Sequence, residues 1–154
     1  MYNFDKMIVA IKLIIKSFCS WGFMGNKIGV IDISRLNNPP EKHELATAKY
    51  FSEMGKDVVF ICPSSIPGAY RPDIIMDGVE WEIKSPIGKG KKTIERNMHK
   101  AAMQSQYIIF DLRRINLNEK QCISQLEQEF YERKYLKELL IIKKNDELIT
   151  FSRR

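Results

Sequence analysis

The stretch RPDIIMDGVEWEIKSP, residues 71–86, decides the expected fold because two short apolar strands flank an Asp77-Gly78 pair. Asp-Gly is strongly favoured in two-residue hairpin turns. If these two residues form the loop, Asp73 on the first strand lies opposite Glu82 on the second. Directly opposed residues have Cβ atoms roughly 4.5–5.5 Å apart and project to the same face of the sheet. The turn therefore predicts two neighbouring carboxylates.

The side chain of Lys84 joins them, because residues two apart on a strand share a face. Like charges that face each other across a strand pair are destabilising unless a cation lies between them. We therefore predict a divalent metal, Mg²⁺ or Mn²⁺, held by Asp73 and Glu82. Lys84 would stabilise charge on a reacting phosphorus or orient the attacking water. The alternative is a solvated strand face with a weak Glu82–Lys84 ion pair.

Hydrophobic periodicity and turn residues predict the other elements. The expected order is helix, three strands, helix, strand, then a further helix and two strands. This is a mixed β-sheet flanked by helices, in the α/β or α+β class. The predicted ranges are helices at 41–54, 93–104 and 118–138, and strands at 57–62, 73–76, 79–85, 107–113, 139–144 and 147–151.

Asn37-Asn38-Pro39-Pro40 breaks regular structure. It predicts an N-terminal extension over residues 1–40 and a functional domain over 41–154. In the extension, lysines interrupt the apolar run, so residues 6–18 are expected to form an amphipathic helix, or to be carried over from a longer precursor, and no stable membrane association is expected.

Composition suits one globular domain of 154 residues with a net charge of +6. The excess of positive charge favours a polyanionic partner such as nucleic acid. Three cysteines and two histidines indicate neither a disulfide framework nor a zinc cluster.

Pro72-Asp73 followed by Glu82-Ile83-Lys84 resembles the PD-(D/E)XK signature of restriction-endonuclease-like nucleases, whose core runs helix, three strands, helix, strand. The resemblance implies that the aspartate and glutamate bind divalent metal and that the lysine assists hydrolysis. A glutamate of the first helix often joins them, and Glu44 is the residue in that position.

A longer span, from about His43 to Phe151, resembles the C-terminal tRNA nuclease domains of CdiA, the contact-dependent growth inhibition toxins. The resemblance rests on HELATAKYFSEMGKDVVFI, RPDIIMDGVEWEIKSPIGKGKKTIERN, AAMQSQYIIFDLRR and LLIIKK. It implies a tRNA-cleaving enzyme, a cognate immunity protein, delivery within a larger toxin system and a cytoplasmic site of action. Three alternatives stay open: a metal-independent tRNase of the barnase and colicin kind, a PD-(D/E)XK DNA endonuclease, and a non-catalytic nucleic-acid-binding module.

Six basic residues and one acidic residue lie between Lys84 and Lys100, next to the predicted site. A glycine-hinged basic loop that leads into a helix can wrap a phosphate backbone. His43 is a further candidate, as the acid or base of the metal-independent alternative. Gln104 is another, as a contact to phosphate or metal-bound water or as a helix cap. The predicted nucleic-acid-binding residues are Lys89, Lys91, Lys92, Arg96 and Arg113.

Overall fold

The structure, a computed structural model, describes residues 27–66 and 69–153. The amphipathic helix predicted over residues 6–18 lies outside these ranges. Within them, no helix is both long and apolar enough to cross a membrane.

Seven strands form one mixed sheet in which each strand lies beside its neighbours in sequence. The predicted helix–three strands–helix–strand core is confirmed as α1 to β5, and α3 with the β6–β7 hairpin follows it as expected. The strands are β1 (Ile31–Asp32), β2 (Val58–Phe60), β3 (Ile74–Met76), β4 (Val79–Lys84), β5 (Tyr107–Asp111), β6 (Glu138–Ile142) and β7 (Leu148–Ser152). The described helices are α1 (Lys42–Glu53), α2 (Thr93–Ala102) and α3 (Glu119–Glu132).

Strand directions determine where the loops meet. β4, β5 and β6 run parallel, with α2 and α3 in the connections between them. β3 is antiparallel to both β2 and β4, and β1 is parallel to β2, so β1 runs in the direction of β4. The carboxyl ends of β1, β4 and β5 therefore lie at the same end of the sheet. Open α/β sheets bind their ligands at the carboxyl ends of their strands.

The β3–β4 turn has the conformation that its sequence predicts. Asp77 and Gly78 both have positive φ, 53° and 75°, as a two-residue hairpin loop of this kind requires. β3 and β4 pair in the expected register, with Ile74 opposite Trp81 and Met76 opposite Val79. The predicted register is confirmed over residues 74–76 and 79–81.

Two apolar cores lie on opposite faces of the sheet. α2 and α3 pack with Ile108 and Phe110 of β5 on one face. α1 packs with the intervening Ile109 and with Trp81 and Ile83 of β4 on the other. This alternation along β5 and β4 leaves Glu82 on the face covered by α2. Burial of each of these large side chains stabilises the fold by about 1.5–3 kcal/mol.

Residues before the predicted domain start join the sheet. β1 pairs with β2, and Ile33 is buried in the core beneath α1. The Gly29 N–H donates to the Ser52 carbonyl at 2.8 Å, and the Ser52 hydroxyl donates back to the Gly29 carbonyl at 2.7 Å. The folded unit therefore includes residues 29–33, although the double proline predicted a start at residue 41.

The third helix is shorter than the predicted span of 118–138. It ends at Glu132, and the chain that follows leads into strand β6. The Lys137 N–H donates to the Gln106 carbonyl at 2.8 Å, and Glu138 pairs with Tyr107 at the start of β6.

Replacing Gly29 with alanine should destabilise the fold. An added Cβ would lie 1.9 Å from the Lys56 carbonyl oxygen, so the backbone must shift. Overpacking of this kind lowers the free energy of unfolding by about 1–3 kcal/mol. The matched control is Gly90→Ala, whose Cβ meets only the Thr93 hydroxyl at 3.7 Å and should be neutral or slightly stabilising. Equal urea-unfolding midpoints for the two variants would show that residue 29 lies outside the cooperative unit.

Candidate active site

A cleft of about 490 Å³ opens at the sheet edge where β4 and β5 end. One wall is acidic and comes from the start of α1 and the residue before β3. The other is basic and comes from the end of β4, from α2 and from the segment after β5. The polar and charged residues that line it are His43, Glu44, Asp73, Lys84, Ser85, Thr93, Arg96, Asn97, Lys100 and Arg114.

The carboxylate of Asp73 is fixed by the backbone of β4. The β3–β4 ladder stops at Ile74, and the Asp73 N–H donates to the Trp81 carbonyl at 3.0 Å, one residue out of register. Asp73 therefore does not form the direct cross-strand pair with Glu82 that a regular ladder predicts. Its Oδ2 instead accepts the Ile83 N–H at 2.7 Å, which keeps the carboxylate beside the same stretch of β4.

Glu82 is the least exposed charged residue of the site, at 1%. Its Oε1 accepts hydrogen bonds from the Lys84 ammonium and from the Gln104 amide, the latter at 2.6 Å. Its Oε2 is buried without a hydrogen-bond partner in the part of the chain that the structure describes. Burial first, and then the neighbouring Asp73 charge, raise the Glu82 pKa to about 8, despite the opposing effect of Lys84.

Glu44 and His43 reach the cleft from the first turn of α1. Glu44 forms a capping box, in which its carboxylate accepts the Glu41 N–H at 3.1 Å. Burial, and then the charge of Asp73, raise the Glu44 pKa. Burial also raises the Asp73 pKa, more than the Ile83 hydrogen bond and Lys84 lower it. Glu44 and Asp73, which line the cleft, and Glu82, which is buried next to Asp73, are therefore all harder to ionise than usual.

A divalent ion fits this donor set. No group of three or more His, Cys, Asp or Glu side chains in residues 27–66 and 69–153 is arranged to hold a metal. Mg²⁺, however, takes one or two carboxylates and completes its shell with water and phosphate oxygens. Asp73 and Glu82 offer two carboxyls that lack sufficient positive charge, and the free Oε2 of Glu82 offers an unused acceptor. The third-ligand role expected for Glu44 gains no support from this geometry.

The predicted nucleic-acid-binding residues divide into three groups. Arg96 lines the cleft. Lys89, Lys91 and Lys92 are exposed in the loop before α2 and do not line it. Arg113 is turned away, and its neighbour Arg114 lines the basic wall instead.

Arg113 forms a buried ion pair with Asp111. Its guanidinium donates to both carboxylate oxygens of Asp111, at 2.9 and 2.6 Å, and to the Ala46 carbonyl at 3.2 Å. Burial alone would raise the pKa of Asp111, but hydrogen bonds from Arg113 and Thr47 outweigh it and lower that pKa. The sequence signal for this pairing is Asp111 two residues before Arg113, a spacing that puts both on one face of an extended chain.

The same ion pair anchors α1. The Thr47 hydroxyl donates to Asp111 at 2.7 Å, and the ring of Tyr50 lies under the Arg113 guanidinium, 5.4 Å from centroid to Cζ. Thr47 lies one helical turn after His43 and Glu44. The end of β5 therefore fixes the part of α1 that delivers these two residues to the cleft.

A family profile matches residues 70–148, the span that contains the hairpin, the basic loop and β5 to the start of β7. Its description is the contact-dependent growth inhibition CdiA C-terminal domain. The chain belongs to this family. The resemblance read from the sequence is confirmed at the level of the CdiA C-terminal domain.

The fold of this CdiA C-terminal domain is also found among solved structures. A chain of the "CdiA-CT/CdiI toxin and immunity complex from Burkholderia pseudomallei" is similar, with a TM-score of 0.59 and 18% sequence identity. The similarity covers 81% of this chain and 100% of that one. No curated protein sequence matches the chain. At this identity the likeness supports the mixed α/β fold alone.

Neutralising Asp111 should destabilise the CdiA C-terminal domain far more than neutralising Asp146, the second acid that contacts Arg113. Asp111 is buried, whereas the Asp146 side chain is 64% exposed and its contact measures 3.4 Å. Asp111→Asn should lower the free energy of unfolding by about 2–3 kcal/mol. Asp146→Asn should cost less than about 1 kcal/mol. Chemical denaturation followed by circular dichroism measures both, and equal effects would contradict the anchoring role of Asp111.

Glu82 should make stability fall with rising pH when divalent metal is absent. Its pKa rises from an ordinary 4.5 to about 8 on folding. The folded state therefore holds a proton that the unfolded chain has lost, so the contribution is favourable below about 4.5 and disappears towards pH 8.

Glu82→Gln removes this titration. Its free energy of unfolding relative to the wild type should rise by at least about 1 kcal/mol between pH 4.5 and 8, the equivalent of one pKa unit. Urea titrations in EDTA across this interval give the measurement. A difference that stays constant with pH would refute the proposed shift.

Proposed function

We propose that this chain is a toxin-type endoribonuclease that cleaves tRNA by divalent-metal-dependent phosphodiester hydrolysis. The observation that carries the proposal is the carboxyl of Asp73, which lines the cleft together with its basic wall, with the buried carboxyl of Glu82 next to it. Nucleic acid supplies the phosphates that such a wall attracts. The preference for tRNA comes from the family resemblance, and the growth-inhibition description of the family supports a toxic activity.

Asp73 and Glu82 would hold Mg²⁺ or Mn²⁺, which when bound neutralises phosphate charge and lowers the pKa of water. The Lys84 ammonium, next to Glu82, lies in the cleft where it can stabilise charge that develops on the phosphoryl oxygens. The Gln104 amide holds one oxygen of Glu82 in place. Glu44 and His43 remain candidates for orienting water or accepting a proton.

A cognate immunity protein is the proposed protein partner, supported by the toxin and immunity complex whose fold this chain resembles. It would bind this domain and block cleavage. The family description names a C-terminal domain, which supports delivery as part of a larger protein. The cytoplasm of the recipient cell, where tRNA is found, is the proposed site of action.

Cleavage of total tRNA, followed on denaturing gels with Mg²⁺ or with EDTA, tests the proposal. Asp73→Asn and Lys84→Ala should each lower the rate by at least about 100-fold. Glu80→Gln is the matched control. Glu80 lies on β4, as Lys84 does, but its side chain is exposed and it pairs with Ile75 of β3. It should retain the wild-type rate.

Other outcomes separate the alternatives. Undiminished cleavage in EDTA would contradict the metal mechanism and favour the metal-independent tRNase, for which His43 in the cleft is the available acid or base. Cleavage of duplex DNA but not of tRNA would indicate the DNA endonuclease. Binding of tRNA without cleavage by the wild type would indicate the non-catalytic module.

A further inference from the structure

Arg114 differs from the other cations of the cleft because its side chain is held in place. Its Nε donates to the Ser85 hydroxyl at 3.0 Å, and its Nη2 donates to the Ser85 carbonyl at 2.7 Å. Ser85 is itself buried, at 8% exposure, and directly follows Lys84 at the end of β4. Two hydrogen bonds to this buried serine therefore fix the plane of the exposed Arg114 guanidinium.

The segment that carries Arg114 is held as well. The Asn116 amide donates to the Ile87 carbonyl at 3.0 Å, so the chain after β5 is tied twice to the chain after β4. By contrast, Arg96 and Lys100 lie exposed on the surface of α2. A cation that is already fixed loses less side-chain entropy when a ligand binds.

The charge of Arg114 is also uncompensated. Within residues 27–66 and 69–153, no carboxylate lies within ion-pairing distance of it, whereas the adjacent Arg113 pairs with Asp111. Its Nη1 makes no hydrogen bond to a described residue and is available to a ligand in the cleft. A planar guanidinium with free N–H groups suits two oxygens of one phosphate.

We propose that Arg114, aimed by Ser85, binds a backbone phosphate of the RNA next to the phosphate that is cleaved. This deepens the proposed function and rests on it, because it assigns a substrate-gripping residue to the same cleft. The two adjacent arginines then have separate roles. Arg113 anchors α1, and Arg114 adds affinity for the RNA strand beside Asp73 and Lys84.

The test is the salt dependence of binding of fluorescein-labelled tRNA, measured by fluorescence anisotropy in an Asp73→Asn background that prevents cleavage. Arg114→Ala should weaken binding about tenfold and reduce the slope of log affinity against log salt by about 0.7, the loss of one phosphate contact on a single strand. Arg114→Lys should keep the slope, because the charge remains, but lose part of the affinity.

Two further variants distinguish a direct phosphate contact of Arg114 from effects of folding and of net charge. Ser85→Ala removes the hydroxyl that accepts from Arg114 Nε but keeps the carbonyl contact to Nη2, so it should weaken binding by a few-fold at most, with the slope unchanged. Lys134→Ala removes one exposed charge after α3, at the opposite edge of the sheet, and should leave affinity and slope at the parent values.

Cleavage kinetics give a second readout in the wild-type background. Arg114→Ala should raise KM about tenfold with kcat changed less than about twofold, as expected when uniform binding is lost. The inference is overturned if Arg114→Ala matches Lys134→Ala in salt slope and KM while the wild type still cleaves tRNA. If the wild type neither binds nor cleaves tRNA, the proposed function itself has failed and this assignment with it.

Discussion

Two carboxyl groups without enough positive charge around them are the constraint on which the site depends. Asp73 lies next to Glu82 because the Ile83 N–H holds its carboxylate against β4, and both have raised pKa values because burial removes water from them. Lys84 compensates only one of the two oxygens of Glu82. Proteins are only marginally stable, and carboxyl groups with strongly raised pKa values cluster at functional sites. A bound cation would remove the free-energy cost of ionising these two carboxyls.

The rest of the structure holds that pair in a usable place. The sheet buries Trp81 and Ile83 against α1, which leaves Glu82 and Lys84 on the face next to α2. The buried Asp111–Arg113 pair then anchors α1 through Thr47, so that Glu44 approaches from the opposite side. An acidic wall and a basic wall face each other across one cleft as a result, and the basic wall suits a ligand that carries negative charge.

The sequence predicts much of this arrangement, because its strongest signals are local. Asp77-Gly78 specifies the turn, and the turn specifies the register of β3 and β4 as far as Ile74 and Trp81. What it misses depends on distant contacts. A two-residue strand such as β1 is too short to show a hydrophobic period in the sequence. It forms because it pairs with β2 and because Gly29 and Ser52 exchange hydrogen bonds.

The contacts of Arg114 were equally hidden. The spacing of Asp111 and Arg113 indicates their pairing, but only the fold reveals that Arg114 contacts Ser85 at the end of β4. The departure of Asp73 from the ladder is a similar case, since a preference for the Ile83 N–H over a regular pair has no signature in the residue pattern. The roles of Asp73, Glu82, Lys84 and Glu44 in catalysis stay predictions.

Anomalous diffraction from crystals soaked in Mn²⁺ tests the central claim most directly, because it locates the ion without reference to substrate or activity. The account predicts one strong peak in the cleft, next to the carboxylates of Asp73 and Glu82. Manganese bound elsewhere on the protein, with no density between these two carboxylates, would contradict it.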